Sequence, residues 1–174
     1  MGRVVFNVIL ISVFVYAVVV LGLYVFQRSL LYHPGHMNLT PAEAGVPGMR
    51  PIHLVAADGV GTVSWYQEAE GQNPTIVYFQ GNAGAIADRV SKIQPYLDRG
   101  LGVLLVGYRG YGGNEGQPTE NGLYADGAAA LAFLEREGHS PASWILYGES
   151  LGSGVAVELA RRHAVLRAVV RQIS

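Results

Sequence analysis

The residues with the clearest chemical potential stand in a row, Gly148-Glu149-Ser150-Leu151-Gly152. A serine with glycine two positions to either side suits a nucleophile carried on a turn too sharp for a β-carbon at the flanks. The apolar run Trp144 to Tyr147 precedes it and reads as a buried strand. Val155 to Arg162 follow as a helix, with Val155, Leu159 and Ala160 inward and Glu158, Arg161 and Arg162 outward. Ser150 is then lifted above the strand ends at a helix N-terminus, where backbone N–H groups favour a developing oxyanion. In a chain with 23 glycines the pentapeptide alone also fits a plain strand-to-helix turn. The strand before it and the helix after it single it out.

Other chemistries find little support. The chain has no cysteine, which removes disulfides, thiol catalysis and cysteine-based metal sites. His33 and His36 stand three apart with no carboxylate or third ligand nearby in sequence, so they read as a solvated pair and no metal is expected. The loop Gly107 to Gly116 is rich in glycine, yet it lacks a Gly-Lys-Ser/Thr ending and misses the dinucleotide fingerprint; it reads as structural, and no cofactor is expected. With a net charge of −1 and no basic run, nucleic acid is not an expected partner.

The elements that must position Ser150 follow from the pattern of the 174 residues. Val4 to Phe26 is apolar except for Asn7, Ser12 and a few glycine or tyrosine positions, bounded by Arg3 and Gln27-Arg28. At helical rise this spans roughly 30 Å or more, the thickness of a bilayer's hydrocarbon core. The stretch is longer than a signal-peptide core and Phe26 to Leu30 offers no small-x-small cleavage site, so an uncleaved single-pass anchor is expected. Arg3 and Arg28 balance, leaving its orientation unread. Ser29 to Arg50, punctuated by Pro34, Gly35, Pro41, Gly45, Pro47 and Gly48, reads as an irregular connector.

Ile52 to Ala56 and Gly61 to Tyr66 flank Ala57-Asp58-Gly59 as a hairpin. Thr75 to Phe79 is a buried strand opening into Gln80-Gly81-Asn82-Ala83-Gly84. Ile86, Val90, Ile93 and Leu97 give a helix that Pro95 should kink or restart. Val103 to Val106 is another buried strand; Thr119 caps a helix over Glu120 to Glu137; Leu166 to Val170 begins one more strand. Strands alternating with helices imply a mostly parallel sheet, with helices on both faces and the active loops at the strands' carboxyl ends.

With these residues in place, the chain resembles the α/β-hydrolase family, in particular its membrane-anchored, lysophospholipase- and acyl-thioesterase-like branch. The resemblance runs through Leu30-Leu31-Tyr32-His33-Pro34, Asp58-Gly59, Tyr78 to Gly84, Tyr108-Arg109-Gly110-Tyr111-Gly112, Gly122 to Asp126 and the pentapeptide. It implies that Ser150 is the nucleophile, that Gly148 and Gly152 are the elbow glycines, and that the backbone N–H groups of Asn82 and Leu151 form the oxyanion hole. It also implies an acyl ester or thioester substrate near a membrane.

Three departures accompany the resemblance. Gln80 stands where the family commonly has histidine. Gly107 stands where the branch usually has aspartate, so Arg109 is expected to lack its usual partner. The family's triad acid and histidine lie well after the serine, whereas here Glu158 and His163 are the only acid and histidine that follow. His163 would sit roughly 20 Å along the helix, out of reach, and neither His53 nor His139 is brought to Ser150 by the pattern. The expectation is therefore a C-terminally truncated hydrolase. Residues 1–28 form the anchor, 29–50 the connector and 51–174 the N-terminal portion of the hydrolase domain. The competing expectation is a catalytically inactive, membrane-tethered interaction module built on the same half-fold.

Overall fold

The computed structural model describes residues 1–36, 39–163 and 166–172. The chain divides into two compact units, Met1–Tyr32 and His33–Ser174. The first is helix α1 (Gly2–Leu31), none of whose residues is buried. A helix apolar all round and about 45 Å long is long and apolar enough to cross a membrane. It runs past the sequence boundary at residue 28. Arg28 in its last turn complements the carbonyl end of the helix dipole, and Tyr32, extended, donates its N–H to the Arg28 carbonyl at 2.8 Å.

The second unit begins with β1 (His33–Pro34), followed by the hairpin β2 (Arg50–Val55) and β3 (Gly61–Gln67). The hairpin turns at Asp58-Gly59, where Gly59 takes φ +84 and the Ala56 N–H reaches the Val60 carbonyl at 2.9 Å. Then come β4 (Thr75–Phe79), β5 (Ala83–Gly84), a 3-10 turn over Ile86–Arg89, and α2 (Val90–Leu97). The helix α2 does not restart at Pro95, which lies inside it. The proline removes the amide that would donate to Ser91, and the helix runs on two residues beyond it. The chain continues through β6 (Gly102–Val106), α3 (Glu120–Arg136), β7 (Trp144–Glu149), α4 (Leu151–Arg162) and β8 (Ala168–Gln172). Thr119 caps α3 as expected, its Oγ1 accepting from the Gly122 N–H at 3.0 Å.

The main sheet runs in the order β2-β3-β6-β4-β7-β8, with β6, β4, β7 and β8 parallel and the hairpin antiparallel at one edge. Side chains alternate between two covered faces. On one, Ile93 and Leu97 of α2 pack with Ile76, Tyr78, Val103, Leu105 and Trp65. On the other, α3 and α4 approach Phe79 so closely that a β-carbon on Gly127 would lie 2.7 Å from Leu159 and 3.1 Å from Phe79. Every residue of β4 and β6 is buried. Because the chain passes from β4 to β6 on one side and then back across β4 to β7, the carboxyl end of β4 is a topological switch point, where such sheets open a crevice. At the far edge Val169 and Val170 of β8 are each 40% exposed.

Candidate active site

Ser150 stands at the corner between β7 and α4 with φ 49 and ψ −113, and among the described residues it is the only non-glycine residue at positive φ. Holding it there costs on the order of 1–3 kcal/mol, recovered from the packing around it. The flanking glycines make the corner possible. A β-carbon on Gly148 would lie 2.5 Å from the Gly152 carbonyl oxygen, and one on Gly152 would lie 2.1 Å from that of Phe79. The N-terminus of α4 is thus seated on the end of β4. The Ser150 N–H donates to the Gln172 carbonyl at 2.8 Å, and the Ser150 carbonyl accepts from the Ser153 N–H at 2.9 Å. Ser150 is exposed. Leu151 is the first residue of α4, so its N–H belongs to the helix's opening turn.

The loop after β4 lies against this corner. A β-carbon on Gly81 would be 3.6 Å from the Ser150 Cβ and from the Glu149 carbonyl oxygen. Asn82 follows, its carbonyl accepting from the His33 N–H at 2.8 Å and from the Tyr111 hydroxyl at 3.0 Å. Beyond it Ala83 and Gly84 pair in parallel with His33 and Pro34. So the segment read as irregular connector contributes a short strand that braces the loop. Gly84 has φ +78 and Asp88 Oδ2 sits where its β-carbon would be, while the same oxygen accepts from the Ala85 N–H at 2.7 Å.

Glu149, inside the pentapeptide, ties the corner to the loop. Its buried carboxylate accepts from the Tyr78 hydroxyl at 2.7 Å and from Lys92 Nζ at 2.6 Å. Arg89 Nε lies 2.9 Å from Glu149 Oε2, but its N–H is not aligned for a hydrogen bond, so the contact is one of charge. The other arm of Arg89 donates from Nη2 to the Ala83 carbonyl at 2.7 Å. Burial raises the Glu149 carboxyl, yet the bonds from Lys92 and Tyr78 and the Arg89 charge outweigh it and hold the group below its ordinary 4.5. Burial and the bond to Glu149 push the Tyr78 hydroxyl well up. Sequence reading passed over this network. Its only trace there was a basic pair, Arg89 and Lys92, three apart after the loop.

A second network corrects an expectation. Arg109 does not lack partners: its guanidinium reaches Asp126 at 2.8 Å and also pairs with Asp58 in the hairpin turn. Gly107 explains why no aspartate stands there, since a β-carbon would lie 1.9 Å from the Val63 carbonyl oxygen. The hydrogen bond from Arg109 holds Asp58 below its usual range, whereas burial raises Asp126 despite the same guanidinium. Glycine-rich as it is, the loop after β6 is a clamp.

The histidines lie elsewhere. His163 is the C-terminal cap of α4 with its ring against Trp144, about 20 Å along the helix from Ser150. His139 bonds the Tyr66 hydroxyl at 2.9 Å, and His53 is exposed on β2. His33 and His36 are exposed, His33 beside the loop. Among the described residues no side chain hydrogen-bonds the Ser150 hydroxyl, and no group of three or more metal-ligating side chains occurs.

Beside the loop is a cavity of about 240 Å³ lined by Leu39, Pro41, Trp65, Gln80, Ile86 and Tyr111, among others. Gln80 is wholly buried, and among the described residues neither Nε2 nor Oε1 has a hydrogen-bond partner. An unpaired buried amide of this kind costs about 1–3 kcal/mol for each polar group left unmet.

Residues 74–172 match the alpha/beta hydrolase fold family, more than half of the chain. The chain belongs to that family. Among its relatives, the uncharacterized protein Rv2307c of Mycobacterium tuberculosis is 37% identical over 148 residues, covering 83% of this chain and 53% of that one. The lysophosphatidylserine lipase ABHD12 of Danio rerio is 34% identical over 142 residues, covering 78% and 37%. The chain thus spans about half the length of the first relative and less of the second. Among solved structures, the Pyrococcus furiosus esterase Pf2001 superposes with a TM-score of 0.63 at 18% identity, over 80% of this chain and 56% of that one. That likeness is one of fold.

Proposed function

We propose that Ser150 is the nucleophile of a serine hydrolase acting on acyl esters or thioesters at a membrane surface. The observation that carries this reading is the left-handed backbone of Ser150 between two glycines that tolerate no β-carbon, a strained corner whose product is an exposed hydroxyl. In the reaction, Oγ forms a bond to the substrate carbonyl carbon while its proton passes to a base. The resulting oxyanion is met by the backbone N–H groups of Leu151 and Asn82, one from each side of the crevice at the end of β4. The carbon–oxygen or carbon–sulfur bond to the leaving group then breaks as that group takes a proton, and water hydrolyses the acyl-serine. The helix α1 keeps the site at the bilayer as a single-pass anchor. His163 at the end of α4 and His139 on the Tyr66 hydroxyl are both engaged away from Ser150, so neither takes the proton.

That same arrangement of histidines favours a second reading, a catalytically silent, membrane-tethered module. Labelling by a fluorophosphonate probe separates the two. Covalent labelling of the wild-type chain that disappears in Ser150→Ala supports an activated nucleophile. No labelling of folded protein, followed by none when the downstream reading frame is added, leaves the silent module.

A further inference from the structure

The cavity beside the loop has a composition that selects for something. None of its lining residues carries a charge. Its apolar wall is made by Leu39, Pro41, Val63, Trp65, Ile86 and Ala87. Of its polar side chains, Thr40 is bonded to Glu43, Tyr111 to the Asn82 carbonyl, and Asn114 to Val63 and Tyr108. Gln80 alone brings a buried carboxamide with neither atom bonded. A site of this kind meets a neutral group that both donates and accepts, because a charge would be stranded among uncharged walls and a bare hydrocarbon would leave the amide unmet.

Its size limits the guest. At about 240 Å³ the cavity holds the volume of about eight waters and falls below the ~300–1,000 Å³ of pockets that take whole ligands. Its position ties it to the nucleophile: Gln80 precedes Gly81, which packs on Ser150, and the Gln80 carbonyl oxygen would lie only 2.7 Å from a β-carbon on Gly152. Resting on the Ser150 reading, we propose that this cavity is a substrate subsite. It receives one short arm of the ester, largely apolar and carrying a hydroxyl or carboxamide that pairs with Gln80, and it excludes a long acyl chain.

The test uses two fluorophosphonates on the full chain, alike except that a five-carbon arm ends in a methyl group in one and in a carboxamide in the other. The expected result is labelling of Ser150 about tenfold faster by the amide-tipped probe, a preference lost in Gln80→Leu, with Ala87→Phe slowing both probes. Equal rates in wild type, or a preference that survives Gln80→Leu, overturns the subsite while leaving the nucleophile intact. If neither probe labels Ser150, and neither does so when the downstream reading frame is added, the nucleophile itself falls and the substrate subsite with it. A thermal melt keeps the variant interpretable: with no partner to lose, Gln80→Leu should match or exceed the wild-type midpoint. A lower midpoint would mean that the carboxamide is already bonded, which also overturns the proposal.

Discussion

The two buried charge networks at the strand ends are near mirror images. At the nucleophile corner one anion, Glu149, is held by two cations, Arg89 and Lys92; in the loop after β6 one cation, Arg109, is held by two anions, Asp126 and Asp58. In each, one partner is deeply buried and the other roughly half exposed. Their connections differ. Arg109 joins the hairpin turn to α3, whereas the Glu149 network joins the corner to the loop that faces it. The first is a clamp on the fold. The second ties the Ser150 corner to the loop after β4.

The largest expected effect comes from breaking the clamp. Asp126→Ala leaves the Arg109 guanidinium buried with only a half-exposed partner, and should lower unfolding free energy in urea by about 3–5 kcal/mol. The fluorophosphonate labelling rate of the folded fraction should stay near wild type. Glu149→Gln should reverse that pattern. It costs less stability, about 1–3 kcal/mol, because the amide still accepts one bond, but it loosens Arg89 from the corner and slows Ser150 labelling by about tenfold. A variant that moved both quantities in proportion would erase the distinction between the networks.

Acid sharpens the contrast. Glu149 is held below 4.5, so its contribution is complete above that pH and is lost as pH falls through its lowered native value. Asp126 is raised above 3.8 by burial, so its ionisation costs stability as pH rises through that raised value. Urea midpoints followed from neutral pH into acid should therefore decline below 4.5 in wild type, and the decline should be shallower in Glu149→Gln. The smallest effect is expected at Lys92, whose side chain is 42% exposed. Lys92→Ala should change stability by less than about 1 kcal/mol, and high salt should shrink the difference further.

Much of the molecule was legible before its structure. Strong local signals produced the apolar helix, the hairpin around Asp58-Gly59, the buried runs of β4, β6 and β7, the Thr119 cap and the turn at Ser150. Each depends on residues within a few positions of one another, where periodicity and turn chemistry act directly. Helix α2 runs through Pro95, which forfeits one amide donor without ending the element. The connector was misjudged because a two-residue strand such as His33–Pro34 has no pattern of its own; it exists only because Ala83–Gly84 offers an edge.

What the sequence determined by itself is the family, the position of the serine and the glycine frame around it, since a corner this tight admits few residues. What only the tertiary structure decided is who meets whom across the fold. Arg109 finds Asp58 and Asp126, which stand 51 and 17 residues away. Glu149 gathers Tyr78, Arg89 and Lys92 from separate elements. Gln80 is left buried without a partner beside a cavity. Charge pairing and desolvation are set by distances through space. No spacing along the chain encodes them until the parallel strands bring their carboxyl ends together.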